Sequence, residues 1–421
     1  TTDTLILTDG SGGSESSTIS IGGAISTFKS VTLTGDNGIS LGGNITTTNT
    51  GSNNVDINGP VTLTANTTIK TDANNGSIDF SDTIDGGFNL TLDSGAGAIG
   101  VGGAIGGSTP IKVLDINHGD GAGIITLAGG IGNQTTKASG TTAGSAVDIG
   151  NATTTSITLG KASVSRVFST DGATEFTTTG TNPDIDLTGT GVEFQTSDNT
   201  LTFTGGAIDL DDGSNLTIGT GSGDITLTAI RGDSNETVSI TSSGTVNTKA
   251  IGNVHEIETV GIEGGLIKIG GNITTDGDGN VTLTGPVQLA ADNITIDTSS
   301  VDGKGSGDGG NVRFTDKLDS VTGQAYALTI TTKAGTVQVD DIIGSTTALG
   351  ALTINNNATD TGTITLNGIG DGTAPALGSA DVLIGSTGTT GMTLKGAFYD
   401  TGAATYTTDG ADITVQRATA G

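Results

Sequence analysis

The feature that most constrains this fold is the repeated alternation of short β-branched runs with turns rich in glycine, asparagine and aspartate. Runs such as residues 61–64 (Val-Thr-Leu-Thr) and 225–228 (Ile-Thr-Leu-Thr) alternate apolar and polar side chains, as half-buried strands do. The Gly-Gly, Asn-Gly and Asp-Gly turns between the runs supply positive φ angles at low energetic cost. No stretch has helical periodicity of useful length. The sequence therefore predicts an all-β protein made of many short strands.

Internal repetition decides how these strands are arranged. Four segments return later in the chain in the same order, with only the turns between them changed in length. The pairs are 43–47 and 271–275, 59–63 and 285–289, 76–80 and 310–314, and 90–92 and 328–330. A shorter three-strand unit, the length of one coil with its turns, recurs at 19–45, 99–131, 246–273 and 337–369. Preserved order with variable turns is expected if each unit is one coil of a stack.

We therefore predict a right-handed parallel β-helix, also called a β-solenoid. Ile, Val and Leu of successive coils would stack inside, and the abundant Thr residues would point outward. Tandem β-sandwich domains are the alternative fold, because they also consist of short period-two strands. The absence of Trp argues against sandwiches of the immunoglobulin type, which bury one in the core.

Composition excludes collagen and argues against a disordered chain. The 421 residues include 73 Gly but only 5 Pro, and no strict Gly-X-Y period, which excludes collagen. The many β-branched residues argue against a disordered chain. Since aromatic residues make up only 3% of the chain, the core is predicted to be aliphatic.

The repeat pattern predicts four parts along the chain. The repeat is fainter in the second part, which contains Phe168, Phe176 and Phe194, and the last part contains the cluster Phe398, Tyr399 and Tyr406. The parts are solenoid coils at 1–142, irregular coils or a lateral insertion at 143–245, coils of the second copy at 246–392, and a cap or subunit-docking segment at 393–421.

The net charge of the chain limits the classes of partner that it can bind. A formal net charge of −29 makes nucleic acids and anionic membranes poor partners. No apolar run is long enough to predict insertion into a membrane. The sequence starts at Thr1 rather than Met, so we expect that an upstream segment has been removed. The absence of cysteine removes disulfides and catalytic thiols from consideration.

The wording of residues 59–69, 76–86 and 89–116 resembles the repeats of large secreted bacterial exoproteins of the filamentous-haemagglutinin and autotransporter-passenger type. The resemblance covers 19–133 and 246–370 and rests on the style of the repeat, not on an active-site motif. It implies a right-handed parallel β-helix, secretion to the extracellular space or the cell surface, and an adhesive or structural role.

Two turn segments carry the candidate metal ligands. Residues 276–280 and 302–308 place Asp276 and Asp278, and Asp302 and Asp308, on glycine-flexed turns. Calcium takes six to eight oxygen ligands on such loops, so these four carboxylates are the predicted calcium ligands. Neither segment fits an EF-hand loop or the glycine-rich calcium-binding nonapeptide. We expect no other cofactor.

Catalytic constellations are weak in this sequence. The two histidines, His118 and His255, have no cysteine partners, which argues against a zinc site. Paired carboxylates could serve a β-helical polysaccharide enzyme, but a chain with 44 acidic residues forms such pairs by chance. We predict that the chain is not an enzyme. The least favoured hypothesis is a polysaccharide enzyme, and its acidic candidates are Asp209, Asp211 and Asp212, and Asp340 with Asp341.

The sequence thus predicts an extracellular structural rod that associates with copies of itself, end to end or side by side, into a surface filament or matrix. Unpaired strand edges at the ends of a solenoid are templates for such growth. The alternative is an adhesin segment that displays a surface for a cell-surface or glycan ligand.

Overall fold

The computed structural model of the chain is all-β. Over the residues it describes, strands, bends and turns occur without an α-helix, and so without a helical segment able to cross a membrane. The described residues are 4–9, 18–47, 53–71, 75–117, 119, 122–132, 147–179, 184–233, 235–252, 254–300, 308–370, 381–399, 401 and 403–416.

The chain forms two compact units, Thr1–Gly223 and Asp224–Gly421. The strands of the first unit are β1 (Thr4–Thr8), β2 (Ile19–Ile21), β3 (Ser30–Thr34), β4 (Ile39–Leu41), β5 (Ile45–Thr46), β6 (Val55–Asn58), β7 (Val61–Leu63), β8 (Thr67–Lys70), β9 (Ile78–Phe80), β10 (Ile84–Asp85), β11 (Leu90–Asp93), β12 (Ile99–Val101), β13 (Leu114–Ile116), β14 (Ile124–Leu127), β15 (Val147–Gly150), β16 (Ser156–Gly160), β17 (Arg166–Ser169), β18 (Thr174–Thr177), β19 (Ile185–Thr188), β20 (Gly191–Gln195), β21 (Leu201–Thr204), β22 (Ile208–Leu210) and β23 (Asn215–Gly219).

The second unit is built in the same way. Its strands are β24 (Ile225–Thr226), β25 (Ile230–Arg231), β26 (Thr237–Thr248), β27 (Thr259–Ile269), β28 (Ile273–Asp276), β29 (Val281–Thr284), β30 (Val287–Leu289), β31 (Ile294–Ser300), β32 (Val312–Phe314), β33 (Leu318–Ser320), β34 (Leu328–Thr331), β35 (Val337–Val339), β36 (Leu352–Ile354), β37 (Thr363–Leu366), β38 (Asp381–Ile384), β39 (Gly391–Leu394), β40 (Ala403–Tyr406) and β41 (Ile413–Val415).

In the first unit the backbone winds in three-sided coils, and each side stacks in parallel on the same side of the next coil. One side is the sheet β1-β3-β6-β9-β12-β14-β16-β19-β22, and another contains β5, β8, β11, β13, β15, β18 and β21. Pairing is in register, so Val31 lies opposite Val55 and Val55 opposite Ile78. Ser94 and Asn117, which are hydrogen-bonded between neighbouring coils, are 23 residues apart. A coil therefore has the length that the recurring three-strand unit predicted.

The second unit has the same three-sided winding. One side is the sheet β28-β31-β34-β36-β38-β40. A second side runs from the first halves of β26 and β27 through β29, β32, β35, β37 and β39 to β41. The third side runs from the second halves of β26 and β27 through β30 and β33, and ends in single bridges at Ile343, Ile369 and Tyr399.

These ladders confirm the parallel β-solenoid, while its predicted right-handed winding stays a prediction. The alternative of tandem β-sandwiches is wrong, because sandwich sheets are antiparallel. In the described part of the chain the strands pair in parallel, and the single antiparallel contact is the isolated bridge Lys161–Val164. The predicted part boundaries at 142, 245 and 392 stay predictions.

The interior of each unit is a column of stacked aliphatic side chains. Val31, Val55 and Ile78, which follow one another through three coils, are each 0% exposed. The first unit departs from the predicted aliphatic core by burying a stack of phenylalanines. Register places like residues over one another, and the Phe176 and Phe203 rings stack with centroids 5.1 Å apart. The buried rings of this stack are Phe168, Phe176, Phe194 and Phe203.

Not all threonines point outward, because one corner of many coils buries a hydroxyl. The Ser94 hydroxyl donates to the carbonyl oxygen of Gly97 at 2.6 Å, and that of Thr332 donates to the carbonyl oxygen of Gly335 at 2.7 Å. These side chains close the turn from inside, where water cannot reach the backbone carbonyl. We call this arrangement the hydroxyl corner.

A buried asparagine supports both of these corners. Asn117 Oδ1 accepts the Ser94 backbone N–H at 2.8 Å, and Asn355 Oδ1 accepts the Thr332 backbone N–H at the same distance. Both asparagines have positive φ, 51° and 47°, and both lie 23 residues after the corner residue. The two copies of the sequence repeat therefore build the same local structure in their own units.

Close stacking of corners explains much of the glycine content. A Cβ on Gly335 would overlap the carbonyl oxygen of Gly310 in the preceding coil, and a Cβ on Gly362 would overlap that of Gly335. In the first unit Gly123 stands in the same relation to Gly97. Coils can approach this closely only where the side chain is a hydrogen atom.

Candidate functional site

Outward positions of the first unit's long sheet form an acidic row. Register places Thr32 beside Asp56, Asp56 beside Asp79, and Asp79 beside Gly100. A Cβ on Gly100 would lie 2.6 Å from Asp79 Oδ1, so the missing side chain leaves room for this carboxylate. These residues line a shallow groove of about 500 Å³.

Two carboxylates in this groove are electrostatically coupled. Burial raises the pKa of the Asp56 carboxyl, the charge of Asp79 raises it further, and a hydrogen bond from Thr32 opposes both. Neighbouring parallel strands are about 4.8 Å apart, which brings the two acids close together. The groove can accept hydrogen bonds from hydroxyl groups of a ligand or attract a cation.

A second acidic group lies farther along the same sheet. Asp184, Asp186 and Asp209 have carboxylate oxygens within 4.8 Å of one another, and register sets Asp186 beside Asp209. Burial raises the pKa of Asp186, the charges of Asp184 and Asp211 raise it further, and two hydroxyl hydrogen bonds oppose the rise. Three half-buried carboxylates supply fewer oxygens than the six to eight that calcium takes. By itself this group is an acidic patch.

In the second unit, the turn that follows Asp276 contacts the residue after Asp308. Gly309 N donates to Gly277 O at 2.5 Å. Asp276 is 9% exposed, and its Oδ1 accepts the Gly277 N–H at 2.6 Å. Asp278 and Asp308 are exposed, while Asp302 lies outside the described residues. Calcium binding at these turns stays a prediction.

The predicted histidine and the predicted Asp340–Asp341 pair lie on turns or in an ion pair. His255 is exposed on a turn, and His118 is outside the described part. Asp340 pairs with Arg313 at 2.7 Å. Partial burial would raise the pKa of Asp340, but hydrogen bonds from Gln338 and Arg313 and the nearby positive charges outweigh it and lower the pKa. Asp341 Oδ1 accepts a backbone N–H of its own turn at 2.7 Å.

A groove of about 570 Å³ lies on the outer face of the second unit. Thr282 and Arg313 are neighbours along its floor, and Gln338 follows Arg313. Along one edge, Asn280 Oδ1 accepts the Asn311 N–H at 2.8 Å. Asn311 Oδ1 in turn accepts the Thr336 N–H at 2.8 Å. Each asparagine is thus oriented by the next coil, with its amide held at the groove edge.

Sequence reasoning missed the pair Asp56 and Asp79, and of the second acidic group it named only Asp209. It grouped Asp209 with Asp211 and Asp212, its neighbours in sequence, whereas the structure pairs Asp209 with Asp186 of the preceding coil. A signal was available, because residues 56 and 79, and likewise 186 and 209, are acids flanked by apolar residues at the spacing of one coil. That spacing is informative only once the coil length is known.

The fold and its polar outer faces define the class of this protein as a parallel β-solenoid repeat protein. Comparison of the chain with protein-family models, with curated proteins and with solved structures finds no match.

Proposed function

We propose that this chain is an extracellular structural protein whose coils associate end to end, so that copies of it build a surface filament or matrix. The observation that carries this proposal is the uncovered interior at its last described strand. Ile413 and Val415 of β41 are in register with Met392 and Leu394 of β39. Met392 and Leu394 are 2% and 7% exposed, whereas Ile413 and Val415 are 41% and 70% exposed.

The first coil presents a similar end. Leu5 and Leu7 of β1 are in register with Val31 and Leu33, which are 0% exposed. The two leucines are only half-buried, because β3 is the single strand that pairs with β1 in the described part of the chain. Apolar side chains left exposed in the first and the last described coils favour association, since covering them removes apolar surface from water.

Charge favours the ends over the sides as contact surfaces. The strands of the two end coils, β1, β2, β40 and β41, contain no acidic or basic residue. One side of the first unit carries the acidic row and the acidic group described above, within a chain of net charge −29. Side-by-side contact of such faces would bring carboxylates together, whereas contact through these four strands brings no charged side chain of the strands together.

A charge placed in the exposed interior of the last coil tests this proposal. Val415→Asp should abolish assembly, because joining two ends would bury the new carboxylate. Thr414→Asp is the matched control, since it adds the same charge to the same strand at an outward position. The measurements are sedimentation velocity over a concentration series and negative-stain electron microscopy.

The expected result is concentration-dependent growth of the unmodified chain and of Thr414→Asp, with Val415→Asp remaining monomeric. Val415 is already exposed, so its replacement should leave the monomer folded, which circular dichroism checks. A monomeric unmodified chain at every concentration, with and without calcium, would remove the proposal.

A second candidate, an adhesin segment, is supported by the groove at Asn280 and Arg313. Oriented amides, hydroxyls and one guanidinium are the donors that a glycan chain needs. The test is binding of the purified chain to a glycan array. Binding that the double variant Arg313→Ala with Asn311→Ala loses and the control variant Arg231→Ala keeps would favour this candidate. Inertness toward the array would exclude glycan adhesion at this groove.

A further inference from the structure

We infer that the surface covering β41 is strand β2 of a second copy of this chain, with Ile19 stacked on Ile413 and Ile21 on Val415. This inference rests on the proposed function and deepens it, since it names the partner strand and its register. It makes the junction between copies a continuation of the same coil-on-coil ladder that exists within each unit.

The side of the second unit that ends at β41 has a constant pattern. Two inward apolar residues flank one outward residue in each coil, as in Ile364-Thr365-Leu366 and Met392-Thr393-Leu394. The outward residue is threonine in three successive coils, Thr365, Thr393 and Thr414, which lie side by side. A strand that continues this side should read apolar, hydroxyl, apolar.

Strand β2 has this pattern, because it reads Ile19-Ser20-Ile21. Within its own coil stack it pairs with β4 on one edge, where Ile19 faces Ile39 and Ser20 faces Ser40. In the described residues its other edge has no partner strand. Placing β2 on β41 would therefore satisfy two unpaired edges with one ladder.

Strand β1 fits β41 less well and fits β40 better. The outward residue at the centre of β1 is Ile6, which is 65% exposed. In β40 the central outward residue is Thr405, which lies beside Leu383 of β38. The side that ends at β40 thus already has one apolar outward residue, Leu383, and Ile6 would add a second beside Thr405. Since β1 precedes β2 and β40 precedes β41, one placement joins both pairs of strands.

Neighbouring residues in this junction can be linked covalently. In-register parallel strands are about 4.8 Å apart, within the Cα separation of roughly 4.4–6.8 Å that disulfides need. The chain contains no cysteine, so two single variants, Ser20→Cys and Thr414→Cys, introduce one thiol each. Both positions face outward, away from the apolar interior.

The experiment mixes the two variants in equal amounts, oxidises the mixture, and analyses it by non-reducing electrophoresis and mass spectrometry. We expect a disulfide-linked heterodimer of Ser20→Cys with Thr414→Cys at a yield at least ten times that of either variant alone. The matched control replaces Thr414→Cys by Thr393→Cys, which lies one coil inside the end and should give no heterodimer above background.

The outcomes separate this inference from the proposed function. Filaments that form without the heterodimer would overturn the β2-on-β41 register and leave end-to-end assembly standing. Homodimers of Thr414→Cys as the main product would overturn the inference by showing that last coils meet each other. Absence of both filaments and cross-links would overturn the proposed function together with the inference.

Discussion

Replacement of Asn355 by alanine should destabilise the second unit, because this side chain satisfies a buried corner of the backbone. Asn355 is 0% exposed. Its Oδ1 accepts the Thr332 backbone N–H at 2.8 Å, and its Nδ2 donates to the Thr332 hydroxyl, also at 2.8 Å. Removal of the amide leaves the Thr332 N–H buried without an acceptor.

The size of the effect follows from two separate costs. A buried N–H left unsatisfied costs about 1–3 kcal/mol. Alanine at the Asn355 φ of 47° costs up to about 1–2 kcal/mol more, because asparagine tolerates this left-handed conformation through local hydrogen bonds of its amide, which alanine lacks. Asn355→Ala should therefore lose about 3 kcal/mol. Asn355→Gly, which tolerates this φ, should lose only the first part.

Hydrogen exchange followed by mass spectrometry on a peptide covering residues 328–337 is the assay of choice. It reads local opening directly, whereas unfolding of a chain with two compact units need not be two-state. A loss of about 3 kcal/mol corresponds to roughly 150-fold faster exchange at the Thr332 amide, since 1.4 kcal/mol is tenfold.

The neighbouring Asn356 is exposed and provides the control. Asn356→Ala should change stability by less than about 0.5 kcal/mol. Exchange in Asn355→Ala that matches Asn356→Ala would refute the reasoning, since the corner would then be stable without the asparagine. Equal losses in Asn355→Ala and Asn355→Gly would refute only the contribution assigned to backbone strain.

Three further predictions concern glycine, pH and calcium. Gly335→Ala should destabilise its coil by at least about 2 kcal/mol, because its Cβ would overlap the Gly310 carbonyl oxygen. Gly87→Ala meets open space and should be nearly neutral. Hydrogen exchange of a peptide that spans each position measures both effects. The pKa of the Asp186 carboxyl is raised in the native state above its unfolded value near 3.8, so the native state binds the carboxyl proton more tightly. The stability that this gives is present below the unfolded pKa and is lost as pH rises through the native pKa. Asp186→Asn should therefore stabilise the protein at pH 7 and have no effect below the unfolded pKa. A constant benefit across thermal melts at pH 3 and pH 7 would contradict this cause. If Asp278 and Asp308 bind calcium, calcium at 100 times the dissociation constant should stabilise the folded chain by about 2.7 kcal/mol. A melting temperature that does not change when a chelator is added would refute calcium binding there.

The local character of the coils was predictable from sequence because it depends on neighbours along the chain. Alternation in runs such as 61–64 places Val61 and Leu63 inward, at 1% and 2% exposure. The repeated segments 43–47 and 271–275 share a local structure, since each copy ends in a buried threonine, Thr47 or Thr275. Periodicity and repetition were therefore enough to predict strands, coils and an aliphatic column.

The hydroxyl corners were predictable from sequence, but only by asking which side chains satisfy the backbone carbonyls of tight turns. Three of the hydroxyl corners have the spacing serine or threonine, two residues, then glycine: residues 94–97, 220–223 and 332–335. In each, the hydroxyl donates to the glycine carbonyl at 2.6–2.7 Å. Sequence analysis assigned threonine to the outside as a strand former, because it weighed strand propensity and not the backbone carbonyls that a tight corner leaves unpaired.

What the sequence determined by itself was the strand period, the turn chemistry and the repeat, all of which act within a few residues. Which side chains meet across coils was decided only by the tertiary structure. Asp186 lies beside Asp209, and Phe176 beside Phe203, because turns of particular length set the register between coils. Turn lengths vary along this chain, and a change of one residue reverses which face of a strand points inward. The acidic groups and the uncovered interior at Val415 therefore had to come from the fold.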